Sequence, residues 1–343
     1  MAKAVKMADI AKVIGVSTVT VSKALSNQKG VSEELRARIK KQAEEMGYKT
    51  NSAIYQERVK TDISYDIGVV ISSRFLDKYS SFYWELYQEV AKAAVQKGCF
   101  TMLEVLEAED ERNCVMPKLL QEKRADGLII LGLLEEEYLL RLHEYASLPF
   151  IYLDFYDKNG TCDAVISNSY FGMYKMTNYL FGMGHKDIAF VGNLLYTGSI
   201  TDRYFGYARS LFEHGVDVRK EWILEDRDSE TGRTDGGFEI KLPEEMPTAF
   251  VCNCDVAAAL LINKLEEKGY RVPEDVSVVG YDNYQPPGLC DIRITSYEVD
   301  MTEMARKTVR NIIRKISGEH YKQGVLIVEG RIEYKDSVAK CRK

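Results

Sequence analysis

Apolar residues recur along this chain in two rhythms. Over the first fifty positions they fall at helical spacing. Ile10, Ala11 and Ile14 give residues 9–13 one apolar face, and Gly15 stops that helix because glycine tolerates the left-handed conformation of a C-terminal cap. Ser17 is placed to cap a second helix over residues 18–25, in which Val21, Ala24 and Leu25 turn inward while Thr18, Val19, Ser22 and Lys23 turn outward. Ser32 caps a third helix, which Gly47 ends. A helix, a short glycine turn and a second helix form the helix-turn-helix pattern; a short helical hairpin used only for packing gives the same periodicity.

From residue 66 the rhythm changes to short apolar runs alternating with helical patterns. Strands are expected at 67–71, 100–105, 127–131, 150–153, 164–167, 187–192, 249–252, 276–280 and 325–329. Helices are expected at 82–97, 111–122, 135–145, 170–183, 203–214, 255–268 and 302–316. Such alternation predicts an α/β fold whose parallel sheets are covered on both faces. Two rounds of it predict two similar lobes. The organisation expected is a small all-α headpiece over 1–49, a linker over 50–63, and a two-lobed body over 64–343. The first lobe spans about 64–167 with a return near 296–325; the second spans about 187–293 with C-terminal strands near 325–337.

Charge sharpens this division. The 343 residues carry a net charge of −6, which taken alone argues against a nucleic-acid partner. Residues 1–60, however, hold 12 basic and 6 acidic residues, leaving 34 basic and 46 acidic ones for the remainder. A basic head on an acidic body confines phosphate attraction to one end. The seven cysteines are odd in number and irregular in spacing. Cys252-Asn-Cys254 lies in an apolar run, so buried thiols in a reducing compartment are expected, with no metal and no cofactor. The N-terminus has no apolar signal region, and no apolar run nears the ~20 residues that span a bilayer, so a cytoplasmic location is expected.

The spacing Asp9-Ile-Ala-x-x-x-Gly-Val-Ser-x-x-Thr-Val-Ser-Lys, followed by Val31-Ser and Gly47-Tyr-x-x-Asn51, resembles the headpiece of the lactose-repressor (LacI/GalR) family of bacterial transcription regulators. The resemblance continues through the body, in the runs from Gly184 to Gly192 and from Val272 to Asp282 and in Asp202-Arg203-x-x-Gly206. It implies a homodimer that reads a pseudo-palindromic operator in double-stranded DNA. Lys23 would donate to guanine, with Thr18 and Val19 at neighbouring base edges. Ser17, Thr20, Ser22, Asn27 and Tyr48 would position phosphates, and Asn51 completes the motif. In the family the linker is a hinge helix whose leucine wedges the minor groove. This chain has Glu57 there, and a carboxylate cannot replace that wedge; the register would have to shift to Ile54 or Val59, or the site be bound with little kinking.

The resemblance also implies an effector, most simply a sugar, bound beyond the carboxyl ends of the strands in a cleft between lobes that close on it. Arg203, at the head of its helix, would grip vicinal hydroxyls or a carboxylate. Asp154 and Asp282 follow strands and would accept from hydroxyls. Asp255 is read either as a helix cap or as a ligand contact, with Cys254 in place of the family's Asn. Ser72, Phe75 and Phe82 come from the first strand-to-helix loop, Phe82 being equally a core residue. Arg227 stands where some members carry an aromatic, and Met301 where an aromatic is common; Arg203 and Arg227 together raise an anionic effector as an alternative. His185 reads as structural, and His143, His214 and His320 as exposed and unclustered.

The functional expectation is therefore a ligand-controlled DNA-binding repressor. A phosphorylated protein co-regulator or a non-sugar effector is the alternative. An α/β enzyme is remote: no strand is followed by G-x-G-x-x-G, and neither a phosphate loop nor a nucleophile elbow occurs. A dimer is expected, because the chain ends at residue 343 without a heptad tail.

Overall fold

The computed structural model describes residues 7–25, 30–46, 64–76, 81–158, 160, 162–228, 232, 238–320 and 322–342. The chain divides into two compact units, Met1–Ser64 and Tyr65–Lys343. Asn27, Tyr48, Asn51 and the whole 50–63 linker with Ile54, Glu57 and Val59 lie outside the described residues.

The first unit is a helical trio: α1 (Met7–Ile14), α2 (Thr18–Leu25) and α3 (Glu33–Glu45). Its core is small. Ile10, Ala11, Val21, Ala24, Ile39 and Ala43 are buried against one another. Gly15 takes a φ of +79° and its amide donates to Ala11 O at 2.9 Å, the helix stop expected from the sequence. Ser17 Oγ accepts from Thr20 N at 3.1 Å, and Ser32 Oγ from Leu35 N at 3.4 Å. Arg36, only 8% exposed, closes the trio: its guanidinium donates to the carbonyls of Lys23, Ala24 and Val31, and so satisfies orphan acceptors at the end of α2.

The second unit carries two six-stranded sheets. The first has the order β11 (Val325–Val328), β5 (Ala164–Ser167), β4 (Phe150–Leu153), β3 (Gly127–Leu131), β1 (Asp66–Ser72), β2 (Phe100–Leu106), all parallel. The second has the order β12 (Arg331–Glu333), β10 (Thr295–Glu298), β9 (Ser277–Asp282), β8 (Ala249–Cys252), β6 (Ile188–Val191), β7 (Ile223–Leu224), parallel except for β12. Period-two alternation feeds a core on each face. Val69 and Ile71 join one buried cluster and Val70 another; Phe190 joins one and Val191 another.

Helices α4 (Phe82–Val95) and α11 (Met301–Ile316) pack together on the first lobe, and α8 (Ser169–Gly182) packs with α9 (Gly198–Glu213) on the second. The chain therefore crosses between lobes at three places: Asn168, Val299–Asp300 and Glu329–Gly330. Two of them are tied together, Asn168 N donating to Val328 O at 3.0 Å, and Gly330 N donates to Tyr297 Oη at 2.8 Å.

Three details differ from the expectation. The strand at 325–328 belongs to the first sheet, beside β5, and the segment at 295–298 belongs to the second, beside β9; the last two crossings, at 299–300 and 329–330, fall a few residues later than expected. The helix expected over 111–122 is two short ones, α5 (Ala108–Arg112) and α6 (Lys118–Gln121). Pro117 has no amide to continue the first, and Glu104 caps the second by accepting from the Lys118 and Leu119 amides at 2.6 and 2.8 Å. His143, on α7 (Glu136–Tyr145), is half-buried, with Nε2 2.7 Å from Tyr152 Oη. His185 is structural, held between Thr248 Oγ1 and Ala339 O at 3.0 Å each.

Candidate functional site

The first unit presents one coherent polar face. Thr18, Val19, Ser22 and Lys23 on α2 are exposed, with Val19 61% exposed although apolar. Opposite them on the same helix, Val21 and Ala24 have no exposed surface. Small side chains on the outer face let a helix seat closely in a major groove, where a methyl meets thymine and an ammonium meets guanine. Thr20 is partly committed elsewhere, its Oγ1 lying 2.9 Å from Ser17 Oγ at the cap.

In the second unit a cavity of about 160 Å3 lies between the lobes. Its floor is set by strand ends. Asp154 directly follows β4 with φ +69°, and Asp282 ends β9 with φ +95°; both left-handed turns sit at carboxyl ends of parallel strands. Arg203 reaches the cavity from α9. Its Nη1 donates to Asn253 O at 2.6 Å, its Nη2 to Asp282 Oδ1 at 3.2 Å, and its guanidinium carbon stands 3.8 Å over the Tyr281 ring. Burial opposes the Arg203 cation most, but the acidic groups around it, Asp282 foremost with Asp154 and others, together hold the pKa above its ordinary value. Burial likewise lifts Asp282, with Arg203 pulling the other way. Asp154 accepts from Tyr83 Oη at 3.0 Å; burial and the like charge of Asp282 lift its carboxyl to about 6 against Arg203 and that hydrogen bond.

Arg227 is the second cation at the wall. Its Nε and Nη2 donate to Asp226 Oδ2 at 3.0 and 2.6 Å. Asp226 is wholly buried and also accepts from Asn193 N at 2.8 Å. Burial opposes its ionisation, yet Arg227 keeps it below the ordinary carboxylate range. Arg227 also lies 4.9 Å over the Tyr196 ring, which packs so tightly against Gly232 that a Cβ there would run into the Tyr196 hydroxyl. On the first-lobe side Phe75, Phe82 and Tyr83 form an aromatic corner, with centroids 4.7 Å apart for Phe75–Tyr83 and 5.3 Å for Phe82–Tyr83.

Of the residues singled out in the sequence, Phe75, Phe82, Asp154, Arg203, Arg227 and Asp282 converge on this cavity. Ser72, Asp255 and Met301 do not line it. Ser72 is fully buried at the end of β1. Asp255 is the first residue of α10 (Asp255–Glu267), whose cap is Cys254: Cys254 Sγ accepts from Ala257 N at 3.5 Å. The Asp255 carboxyl turns under β9, into the space left by Gly280, where a Cβ would meet Oδ1. Met301 packs against the core and lines a separate acidic groove with Glu85, Glu89 and Asp300. Arg203 sits in the second turn of its helix and does not open it, because Thr197 caps α9 at Gly198, Thr197 Oγ1 accepting from Ile200 N at 3.2 Å. Sequence reading missed Tyr83, Tyr196 and Tyr284 as cavity walls. Tyr83 was readable as the neighbour of Phe82 on one helical turn; Tyr196 owes its place to the distant Gly232.

Among the described residues no helix is long and apolar enough to cross a membrane, and no cluster of three or more His, Cys, Asp or Glu has metal-site spacing. Residues 6–51 match the family model described as bacterial regulatory proteins, lacI family, and residues 177–338 match a periplasmic binding protein-like domain. The chain is 27% identical to the HTH-type transcriptional repressor PurR of Glaesserella parasuis, over 92% of this chain and 91% of the relative. It is 28% identical to PurR of Aliivibrio salmonicida, over 97% and 98%. Similar folds include the transcriptional regulator CelR in complex with cellobiose (TM-score 0.67, 21% identity, 97% and 99% coverage) and the lac repressor dimer bound to operator and the anti-inducer ONPF (TM-score 0.64, 21% identity, 98% and 100% coverage). The first unit thus carries a helix-turn-helix domain of the lacI family of bacterial regulatory proteins and the second a periplasmic binding protein-like domain, and over nearly its whole length the chain is similar to DNA-binding transcriptional repressors.

Proposed function

We infer that operator binding by this repressor is controlled by a small, neutral, polyhydroxylated effector of the sugar class, held between the lobes by Asp154, Arg203 and Asp282 and walled by Phe75 and Tyr196. The observation that carries this reading is the pairing of all three cavity cations, Arg74 being matched by Glu135 and Glu111. Arg203 is matched by Asp282 and Arg227 by Asp226. A cavity whose positive charges are already neutralised does not select an anion, which counts against the sugar phosphate that two free arginines would favour. Tyr83 and Arg203 each occupy one oxygen of a carboxyl, at Asp154 and Asp282, leaving the second oxygen of each to accept from a ligand hydroxyl. At roughly 10–15 Å3 per water, the space displaces on the order of ten waters, which suits one small ring.

The operator would be read by two headpieces of a dimer, each laying Ser17–Lys23 into a major groove, with Lys23 on guanine, Thr18 and Val19 at adjacent edges, and Ser17, Thr20 and Ser22 toward phosphates. A melting screen of the full chain tests the effector class, with pentoses, hexoses, their phosphates and planar purine bases as probes. A neutral sugar at about 100 times its Kd raises stability by ~2.7 kcal/mol, a shift of a few degrees. A response confined to phosphates, or to the planar bases, overturns the polyol reading.

A further inference from the structure

β11 (Val325–Val328) ends one side of the first sheet, and among the described residues no strand lies on its outer edge. Its inner edge pairs with β5. There Gly324 O accepts from Ala164 N at 3.4 Å, and Val328 O accepts from Asn168 N at 3.0 Å. Alternation along the strand therefore turns the amides and carbonyls of Val325 and Ile327 outward.

Proteins usually blunt such an edge with a lysine, a proline or a bulge. This one reads Val-Leu-Ile-Val, with Val325 exposed and Ile327 53% exposed. The apolar surface continues past the strand. Ile327 lines a groove of about 640 Å3 together with Phe205, Ala208 and Phe212 of α9, and Phe212 is 83% exposed. Those three stand at i, i+3 and i+7, an apolar helical stripe turned outward, which is the surface a soluble protein reserves for a partner.

The strand is complementary to itself. Two copies laid antiparallel about Leu326 bring Val325 of each opposite Ile327 of the other. These are the residues whose backbone groups point outward, so each such pair can exchange two hydrogen bonds, as an antiparallel ladder requires. The valine and isoleucine side chains meet on one face and the two leucines on the other. Gln323 falls opposite Glu329, and between 322 and 330 no like charges stand opposite each other.

We propose that this edge, with the groove beside it, joins two copies of the chain. The strands of the first sheet are all parallel, so antiparallel pairing at β11 also opposes the two β1 strands and sends their linker-bearing ends in opposite directions. Headpieces that share one operator must leave from the same side. The contact is therefore additional to the one that pairs headpieces, and the assembly it builds carries two operator-reading ends. It needs no heptad tail and does not depend on the class of effector.

Sedimentation velocity of the full chain across the micromolar range tests the contact, with Ile327→Lys as the variant because that side chain is exposed. Ile327→Lys should halve the mass of the assembly, from four chains to two where the headpieces dimerise and from two chains to one where they do not. A mass that Ile327→Lys leaves unchanged overturns the pairing, whatever becomes of the headpiece dimer. Mild oxidation read on non-reducing gels tests the register. A two-fold axis at Leu326 sets the two copies of that residue about 4.5 Å apart at Cα, inside the roughly 4.4–6.8 Å that a disulfide spans. Leu326→Cys should therefore give a covalent pair, and Val325→Cys, two positions displaced from its own copy, should give none. A covalent pair from Val325→Cys, or none from Leu326→Cys, overturns the pairing about Leu326.

Discussion

Arg203 stands 3.8 Å over the ring of Tyr281, and the hydroxyl of that same tyrosine lies 3.1 Å from Ser167 Oγ and donates to Asn168 O at 3.2 Å. Ser167 ends β5, and at Asn168 the chain leaves the first lobe for the second. One buried ring thus touches the cavity cation on one side and a crossover between lobes on the other. Gly172 makes room for it, since a Cβ there would run into Tyr281 and Tyr297. Tyr281→Phe keeps the ring under Arg203 and removes only the tie to the crossover. Effector affinity should change less than about threefold, while the effect of effector on operator affinity should fall by about 1 kcal/mol. Fluorescence-anisotropy titrations of operator with and without the effector measure both quantities; coupling that survives intact removes Tyr281 from the relay.

Arg203 also holds the second lobe together. It supplies donors to Asn253 O and to Asp282 at the cavity wall. Arg203→Ala should cost on the order of 1–3 kcal/mol of unfolding free energy, because it removes the donor from a buried carbonyl and the countercharge from a largely buried carboxylate. Removing both partners, in Arg203→Ala/Asp282→Ala, should cost less than the two single changes added together. Urea denaturation of the four proteins gives the coupling, and strict additivity would show that the pair carries no stability of its own.

On the headpiece, Lys23 and Arg36 are both basic but sit in opposite surroundings. Lys23 is exposed on α2, whereas Arg36 is buried and donates to the carbonyls that end that helix. Lys23→Ala should leave the melting of the protein unchanged and cost ~1–3 kcal/mol of operator affinity, concentrated at one base pair. Arg36→Met should lower operator affinity on every sequence alike, by weakening the fold of the trio. Binding to a library of single-base operator variants distinguishes the two patterns; a uniform loss in Lys23→Ala would move that residue from the base edges to the phosphates.

Short-range signals made much of this legible in the chain. Gly15, Ser17 and Ser32 act through neighbours three or four residues away, so the helix stops and caps fall where the sequence puts them. Asp154 and Asp282 were findable because strand ends and cavity coincide in this type of sheet. Asp255 was not. A capping rule reads an acid at a helix start as solvent-facing or ligand-facing, but Gly280, 25 residues on, opens a space under β9 that the carboxyl fills. The same limit hid Tyr196, whose position depends on Gly232, and the late crossing at 329–330, which depends on a close approach at Gly330. Each is a contact between distant segments with no periodic trace in either.

Asp255 gives the last prediction, and its sign follows from its surroundings. The carboxyl has no exposed surface, and neither oxygen has a hydrogen-bond partner of ordinary geometry among the described residues. Burial, joined by the charge of Asp282, lifts its pKa from 3.8 to about 8; Ser296 and the Tyr284 amide pull only weakly the other way. The group is therefore protonated at neutral pH. A carboxyl whose folded pKa is raised stabilises the fold fully below its unfolded value and loses that contribution as pH climbs through the folded one. Asp154, lifted to about 6, acts in the same direction over the lower part of that window. Asp255→Asn is neutral at every pH, so its stability relative to the parent protein should rise between pH 5 and pH 8, by on the order of a few kcal/mol. Chemical denaturation at intervals across that range, with the difference between the two proteins plotted against pH, isolates Asp255 from every other titrating group. A difference that stays flat from pH 5 to pH 9 would mean that Asp255 is ionised in the folded protein and finds a partner beneath β9.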